Sequence, residues 1–237
     1  MGNIAIVDCR ADNKRIYSLE SIGLQIIPTI KIDSLYDAIA THADIQIHYL
    51  GNNRFVCAPE AFEHYKKRLP CGFELIGGSE KLSAKYPYDI AYNAAVLRNY
   101  VICNSAYTAT EILSEYKSMS KEILNVRQGY SKCSICVVNG SAIITSDKGI
   151  AAQASAHGID VLEIKPQHIK LRNLDYGFIG GATGLIKENV LAVNGDINTH
   201  PDGNRIKQFC KEHGVELFTL KDGILEDIGT IISNFNI

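Results

Sequence analysis

The chain has no tryptophan, two methionines, six prolines and almost no excess charge: 24 Lys and Arg stand against 26 Asp and Glu in 237 residues. Balanced charge removes the basic footprint that nucleic-acid binding uses. The 12 tyrosines are scattered among apolar neighbours, so no stacking platform for single strands is legible either. No apolar run approaches the ~18–20 residues that cross a bilayer. The N-terminal MGNIAIVDCRAD carries neither a basic region nor an apolar signal core, so no secretion signal is expected. Met1-Gly2 invites a myristoylation reading, but Ile6 stands where Ser or Thr is wanted. A linker rich in Pro, Gly or Ser is also missing. The expectation is a cytoplasmic protein with no nucleic-acid or membrane partner and an undefined oligomeric state. The seven cysteines are odd in number, and Cys57, Cys103 and Cys210 lie in apolar segments. That usage predicts reduced, core-filling thiols.

What the chain does have is a repeat. RFVCAPEAF, NYVICNSAY, SAIITSDKG, NVLAVNGDI and NIAIVDCRA each run from β-branched or apolar residues into a small polar or turn-forming one. A helix-like segment follows each run, and then another strand-like run: GFELIGG, EILNV, IDVLEI, VELFTL and LQIIPTI. Gly23, Gly158 and Gly214 stand where left-handed helix caps are expected. Four of the first runs are preceded by a partner across a tight turn: ADIQIHYL, AYNAAVL, CSICVV and ATGLI. The fifth partner is supplied by the other end of the chain, GTIISNFNI.

The predicted fold class is therefore α/β: a five-fold pseudosymmetric α/β propeller of ββαβ repeats, closed by pairing of the N- and C-terminal strands. The expected units are residues 42–78, 89–126, 130–164 and 178–220, with the last formed by 226–237 plus 1–30, all in a single domain. An open α/β sheet of unrelated units is the competing arrangement.

Chemistry-bearing residues concentrate in THADIQIHYL. If this is a strand, His42, Asp44, Gln46 and His48 share one polar face and line a central channel, while Ile45 and Ile47 pack outward. Other clusters have duller readings. Cys133 and Cys136 form Cys-x-x-Cys in a strand rather than at a helix N-terminus, against a thioredoxin-like role. Cys133 would share a face with Ile135 and Val137, where a core thiol is as natural as a nucleophile. His42, Asp44 and His48 are considered as metal ligands, but no metal or cofactor is expected. Gly180-Gly181-Ala-Thr-Gly184 is followed by a strand rather than the helix a phosphate loop needs. His157, His168, His200 and His213 are read as solvated.

His42-Ala-Asp44, followed by a hairpin and Phe55-Val-Cys-Ala-Pro59-Glu60, resembles the His-x-Asp strand and its successor in the pentein superfamily. This is the fold of guanidino-group-modifying enzymes: arginine and agmatine deiminases, dimethylarginine hydrolases and amidinotransferases. Gly129-Tyr-Ser-Lys-Cys133 resembles the Gly-rich approach to their nucleophilic Cys, and Leu225-Glu226-Asp227-Ile-Gly229 loosely matches their acidic strand. The cyclic order is the family's, but the Cys stands mid-chain, as in a circularly permuted bacterial branch. Where an acidic residue is expected in the repeat after the Cys, this chain has Gly180 and Gly181.

The resemblance implies a Cys-dependent hydrolase or transferase acting on a cationic guanidine or amidine through a thiouronium-like adduct. Cys133 would be the nucleophile and His42 the proton shuttle, with Cys136 and His48 as second choices. Asp44, Glu226, Asp227 and Gln46 would bind substrate, and a bound cation with a neighbouring imidazolium would lower the thiol's pKa. The alternative is a non-catalytic pentein-fold protein that binds a small molecule or a macromolecular partner.

Overall fold

The structure, a computed structural model, describes residues 3–235. The Met1-Gly2 pair considered for myristoylation, and Asn236 and Ile237 of the last predicted unit, lie outside the described residues.

Among the described residues fifteen strands form five three-stranded sheets. The strands are β1 Ile4–Val7, β2 Gln25–Pro28, β3 Ile47–Gly51, β4 Arg54–Cys57, β5 Glu74–Gly77, β6 Ala95–Val96, β7 Tyr100–Cys103 and β8 Glu122–Asn125. They continue as β9 Ile135–Asn139, β10 Ala142–Thr145, β11 Asp160–Glu163, β12 Thr183–Lys187, β13 Val190–Val193, β14 Glu216–Thr219 and β15 Ile232–Ser233. Each sheet repeats one plan. Its first strand pairs antiparallel with the second, and the second pairs parallel with the third across a helical connection.

The second strands carry the β-branched sequence. In β1 and β10 all four residues are buried, as expected for strands covered on both faces. The first hairpin turns through Asn52 and Asn53 at φ +52° and +59°, the two positive values that a tight type I′ connection requires. Gly23, Gly158 and Gly214 take φ of +87°, +72° and +69° at helix ends, as left-handed caps do.

The fifth sheet joins the chain's two ends. Ala5 faces Ser233 and Ile6 faces Ile232 in the antiparallel β1–β15 pair, so the split unit closes the ring. The first strands stand side by side around the axis: β6 with β9, β9 with β12, β12 with β15, and β15 with β3. Five helices link the second and third strands: α1 Asn13–Ser21, α3 Phe62–Arg68, α4 Thr110–Ser118, α6 Lys148–Ala156 and α7 Gly203–Glu212. The result is the five-fold α/β propeller that the sequence predicted.

One expectation fails locally, with large consequences for the site. Ala43–Gln46 and Ser131–Ser134 are single helical turns, α2 and α5, and the first strands begin only at Ile47 and Ile135. His42, Asp44 and Gln46 therefore do not share a strand face with His48, and Cys133 does not share one with Ile135 and Val137. The alternation was real as a pattern of letters, but a helical turn projects every residue in a different direction.

Gln46 is a structural residue, contrary to its assignment as a substrate ligand. It is fully buried; its Nε2 donates to the Ile30 carbonyl at 3.0 Å, and its Oε1 accepts from Ile30 N at 3.2 Å and the Tyr65 hydroxyl at 2.9 Å. Gln46→Leu strands all three groups and is expected to cost about 2–3 kcal/mol, read as a lower urea midpoint. No loss beyond ordinary mutational noise would contradict this role.

Candidate active site

The side chains that meet at the site come from the few residues that approach a first strand. Two positions before β6, β9, β12 and β15 stand Asn93, Cys133, Gly181 and Thr230. The ring's repeat thus delivers four equivalent positions to its centre, each with different chemistry. His42 and Asp44 enter from the corresponding approach to β3, and Asp227 from that to β15.

Cys133 lies at the centre, 3% exposed. Its Sγ donates to Asp44 Oδ2 at 3.0 Å and accepts from Asn93 Nδ2 at 3.1 Å. Asn93 also fixes the turn beneath it, its Oδ1 accepting from the Lys132 and Cys133 amides at 2.7 and 3.3 Å. The Thr230 hydroxyl lies 2.7 Å from Asp44 Oδ2 and 2.8 Å from the Gly180 carbonyl oxygen. Burial, followed by the carboxylates of Asp44 and Asp227, pushes the Cys133 thiol well above its ordinary range. This is opposite in direction to the depressed thiol expected beside a bound cation; burial is the main cause, and the two anions facing the sulfur add to it. Alkylation of Cys133 by iodoacetamide is accordingly expected to keep accelerating above about pH 9, where an ordinary thiol has levelled off. A plateau by neutral pH would refute the assignment.

His42 is held between two carboxylates. Its Nδ1 is 3.9 Å from Asp227 Oδ1 and its Nε2 is 4.0 Å from Asp8 Oδ2. Nδ1 is buried without a hydrogen-bond partner, which leaves it available to a reacting group. Asp8 is engaged by Arg10 and by the Thr41 hydroxyl at 2.7 Å. Burial would raise its carboxyl, but these partners outweigh it and hold the pKa below the usual carboxylate value. Asp227 accepts from the Phe178 and Gly229 amides, both at 2.9 Å, and burial pushes its carboxyl upward.

Cys133, His42 and Asp227 meet at one cavity of about 260 Å³. Its walls are Tyr36, Tyr130, Leu171, Leu174, Tyr176 and Phe178, with the exposed Asp175 also among its lining. The rings of Tyr130, Phe178 and Tyr176 succeed one another at centroid distances of 6.4 and 6.1 Å. Two segments between units form these walls and are tied together: Asp37 Oδ2 accepts from Asn173 Nδ2 at 3.0 Å and pairs with Arg172 Nε at 3.4 Å.

The remaining candidates lie elsewhere. Cys136 packs in the apolar cluster of Ile144, Val193 and Cys210, where burial pushes its thiol up to about 11. Glu226 forms an ion pair with Arg15 away from the Cys133 cavity, so Asp227 is the acidic residue at the site. His48 faces the opposite side of the ring and its Nε2 lies 2.8 Å from the Tyr116 hydroxyl oxygen. His200, read as solvated, is 3% exposed and bonded to the Lys165 carbonyl and the Asp202 amide. Among the described residues no group of three or more His, Cys, Asp or Glu could hold a metal ion.

Burial lowers the His48 pKa from 6.5 to about 4. Between those values the unfolded chain binds a proton that the folded one does not, so stability falls as pH drops through that window. The loss attributable to His48 is on the order of 3 kcal/mol by the bottom of it. His48→Gln should flatten the urea-midpoint profile there, and an unchanged profile would contradict the assignment.

Gly180 and Gly181 explain why no acidic side chain follows the Cys repeat. A Cβ on Gly180 would lie 2.1 Å from the Lys132 carbonyl oxygen, and one on Gly181 would lie 2.0 Å from Asp227 Oδ1. The backbone itself fills that place, and Gly181 N donates to the Cys133 carbonyl at 3.0 Å.

Comparison with solved structures agrees with this architecture. The DDAH of Pseudomonas aeruginosa, in complex with citrulline, superposes with a TM-score of 0.61 at 8% identity, covering 98% of each chain. An amidinotransferase of Microseira wollei from a saxitoxin pathway gives 0.56 at 11% identity, over 92% of this chain and 88% of its own. A C. jejuni agmatine deiminase gives 0.56 at 9% identity, over 93% and 87%. No curated protein matches by sequence. These likenesses establish the pentein fold. A family model described as a family of unknown function (DUF6873) matches residues 6–232, so the chain is a pentein-fold protein that belongs to that family.

Proposed function

We propose that the protein cleaves a C–N bond of a guanidine or amidine and passes the amidino group to water or to an acceptor amine, using Cys133 as nucleophile and His42 as proton shuttle. The observation that carries this reading is the convergence of Cys133, His42 and Asp227 on one cavity, with Asp44 directly behind the sulfur. A guanidinium seated there meets carboxylates whose charge it offsets. The same cation reverses the electrostatic contribution that holds the thiol protonated.

Sγ then attacks the guanidinium carbon, and its proton passes to His42. The tetrahedral adduct expels an amine that takes a proton from His42, leaving a thiouronium on Cys133. In a hydrolase, water activated by His42 attacks that carbon and the thiolate departs, releasing a urea derivative. In a transferase, an acceptor amine takes the place of water.

The cavity walls define the substrate further. They present aromatic and aliphatic groups, and no Lys or Arg is among the described lining residues. Among the described lining residues no ammonium or guanidinium group is there to pair with the α-carboxylate of an amino acid, whereas the rings suit a cation bearing an apolar substituent. The substrate is read as an alkyl- or arylguanidine lacking a carboxylate.

The test is amine or ammonia release from a panel of alkyl-, aryl- and carboxylate-bearing guanidines, run with the native chain, Cys133→Ser and His42→Ala. The native chain should act on the apolar members at least tenfold faster than on the acidic ones, and both variants should lose turnover. Equal traces from all three proteins reject the mechanism. Saturable binding with no release by any of them favours a non-catalytic binding protein.

A further inference from the structure

The ring has a second cavity, on the side away from His42 and Cys133's neighbour Tyr130. It measures about 250 Å³ and is lined by Asp44, His48, Lys121 and Lys132 among apolar groups that include Leu50, Val137, Leu185 and Ile232. Lys132 and Cys133 are consecutive in one helical turn, yet line opposite cavities. The polar layer between the cavities is thin: the Lys132 ammonium is 3.5 Å from the Thr230 hydroxyl, which contacts Asp44, which holds the Cys133 sulfur.

The charges of this cavity are not balanced. Lys132 has no ion-pair partner among the described residues. Lys121 spends its ammonium on two carbonyl oxygens, those of Leu97 and Arg98, at 2.5 and 2.6 Å. Asp44 is the single carboxylate among the described lining residues; its Oδ2 is occupied by Cys133 and Thr230, and its Oδ1 has no hydrogen-bond partner. Two ammonium groups in largely apolar surroundings thus face a single carboxylate among the described lining residues. A partly buried cation without an ion-pair partner is costly, and a ligand anion would relieve that cost. Burial depresses the Lys132 pKa, a further sign that its charge is under-compensated.

We infer that this second cavity is a binding site for a small carboxylate with an apolar chain, whose head group pairs with Lys132 while its tail lies against Leu50, Val137, Leu185 and Ile232. The aromatic front cavity offers no ammonium and selects the opposite charge. The two sites are therefore separable by ligand sign, and the inference does not depend on whether Cys133 is catalytic.

Octanoate is a probe of suitable size, and octanol carries a similar chain without the charge. Calorimetric titration of the full chain should show octanoate binding at least tenfold more tightly than octanol. Lys132→Met should weaken octanoate at least tenfold while leaving octanol within twofold, and Lys132→Arg should retain it. Should Lys132→Met fail to fold, the native protein decides the matter: octanoate should slow acetylation of Lys132, read by peptide mass spectrometry, without slowing that of the exposed Lys66. Absence of octanoate binding, equal affinity for octanol, or unprotected Lys132 at saturation would overturn the assignment.

Discussion

Cys133→Ser is expected to cut guanidine turnover by at least about a thousandfold, the scale seen when a covalent nucleophile is removed from an otherwise intact site. The fold should survive, because a hydroxyl can make the two contacts that the thiol makes. It can donate to Asp44 Oδ2, as Sγ does at 3.0 Å, and accept from Asn93 Nδ2, as Sγ does at 3.1 Å. What is lost is a soft nucleophile within reach of ionisation. A serine hydroxyl beside two carboxylates stays protonated throughout the accessible pH range. Initial rates and urea midpoints on the same preparation check both halves. Residual turnover within tenfold of the native chain would remove Cys133 from the mechanism.

The second large effect falls on a residue with no side chain. Gly229→Ala is expected to destabilise the protein by roughly 3 kcal/mol or more, because two separate penalties coincide. The backbone is left-handed there, at φ +74°, and the new Cβ would stand 2.2 Å from His42 Cβ and 2.5 Å from His42 Cα. The first penalty is about 1 kcal/mol. The second cannot be relieved by a rotamer change, because a backbone atom is in the way. Gly229 also accepts the Asp44 amide at 3.1 Å, so any relief moves His42 and Asp44 together. Gly214→Ala is the control: φ is +69° but nothing lies within 4 Å of the new methyl. It should cost about 1 kcal/mol and leave the site untouched. Equal losses for the two variants in urea unfolding would show that His42 is not wedged against Gly229.

The propeller was legible because its signals repeat. A run such as Ile4–Val7 followed by a helix and a third strand recurs with the same grammar, and GTIISNFNI had no partner except the N-terminal strand. The interior of the site was less legible, for a local reason. Each first strand is short and is entered through an irregular or helical approach, so period-two reasoning applied to residues 42–48 spanned a boundary. It placed Gln46 on a channel face, whereas that side chain turns back onto Ile30 and Tyr65. It also put His48 beside His42, although the two look into different cavities.

Asn93 and Thr230 gave no motif at all. Their roles follow from an offset, two residues before a first strand, that becomes visible only once the strand starts are known. Glu226 and Asp227 are adjacent acids, and only the backbone decides between them. Asp227 turns inward to the Phe178 and Gly229 amides, while Glu226 reaches Arg15 of α1. Gly180 and Gly181 looked like a missing acid; they are where the chain passes too close to Lys132 and Asp227 for any side chain.

The most direct test of the account is whether substrate carbon becomes bonded to Cys133. The native chain and His42→Ala, mixed with the best apolar guanidine of the panel and quenched in acid, would be digested and analysed by mass spectrometry. The account predicts an amidino-type mass increment on the peptide carrying Cys133, more abundant in His42→Ala, where release of the adduct is impaired, and absent from Cys133→Ser. Turnover by the native chain with no increment on Cys133 in either protein, or an increment on Cys136 instead, would contradict it.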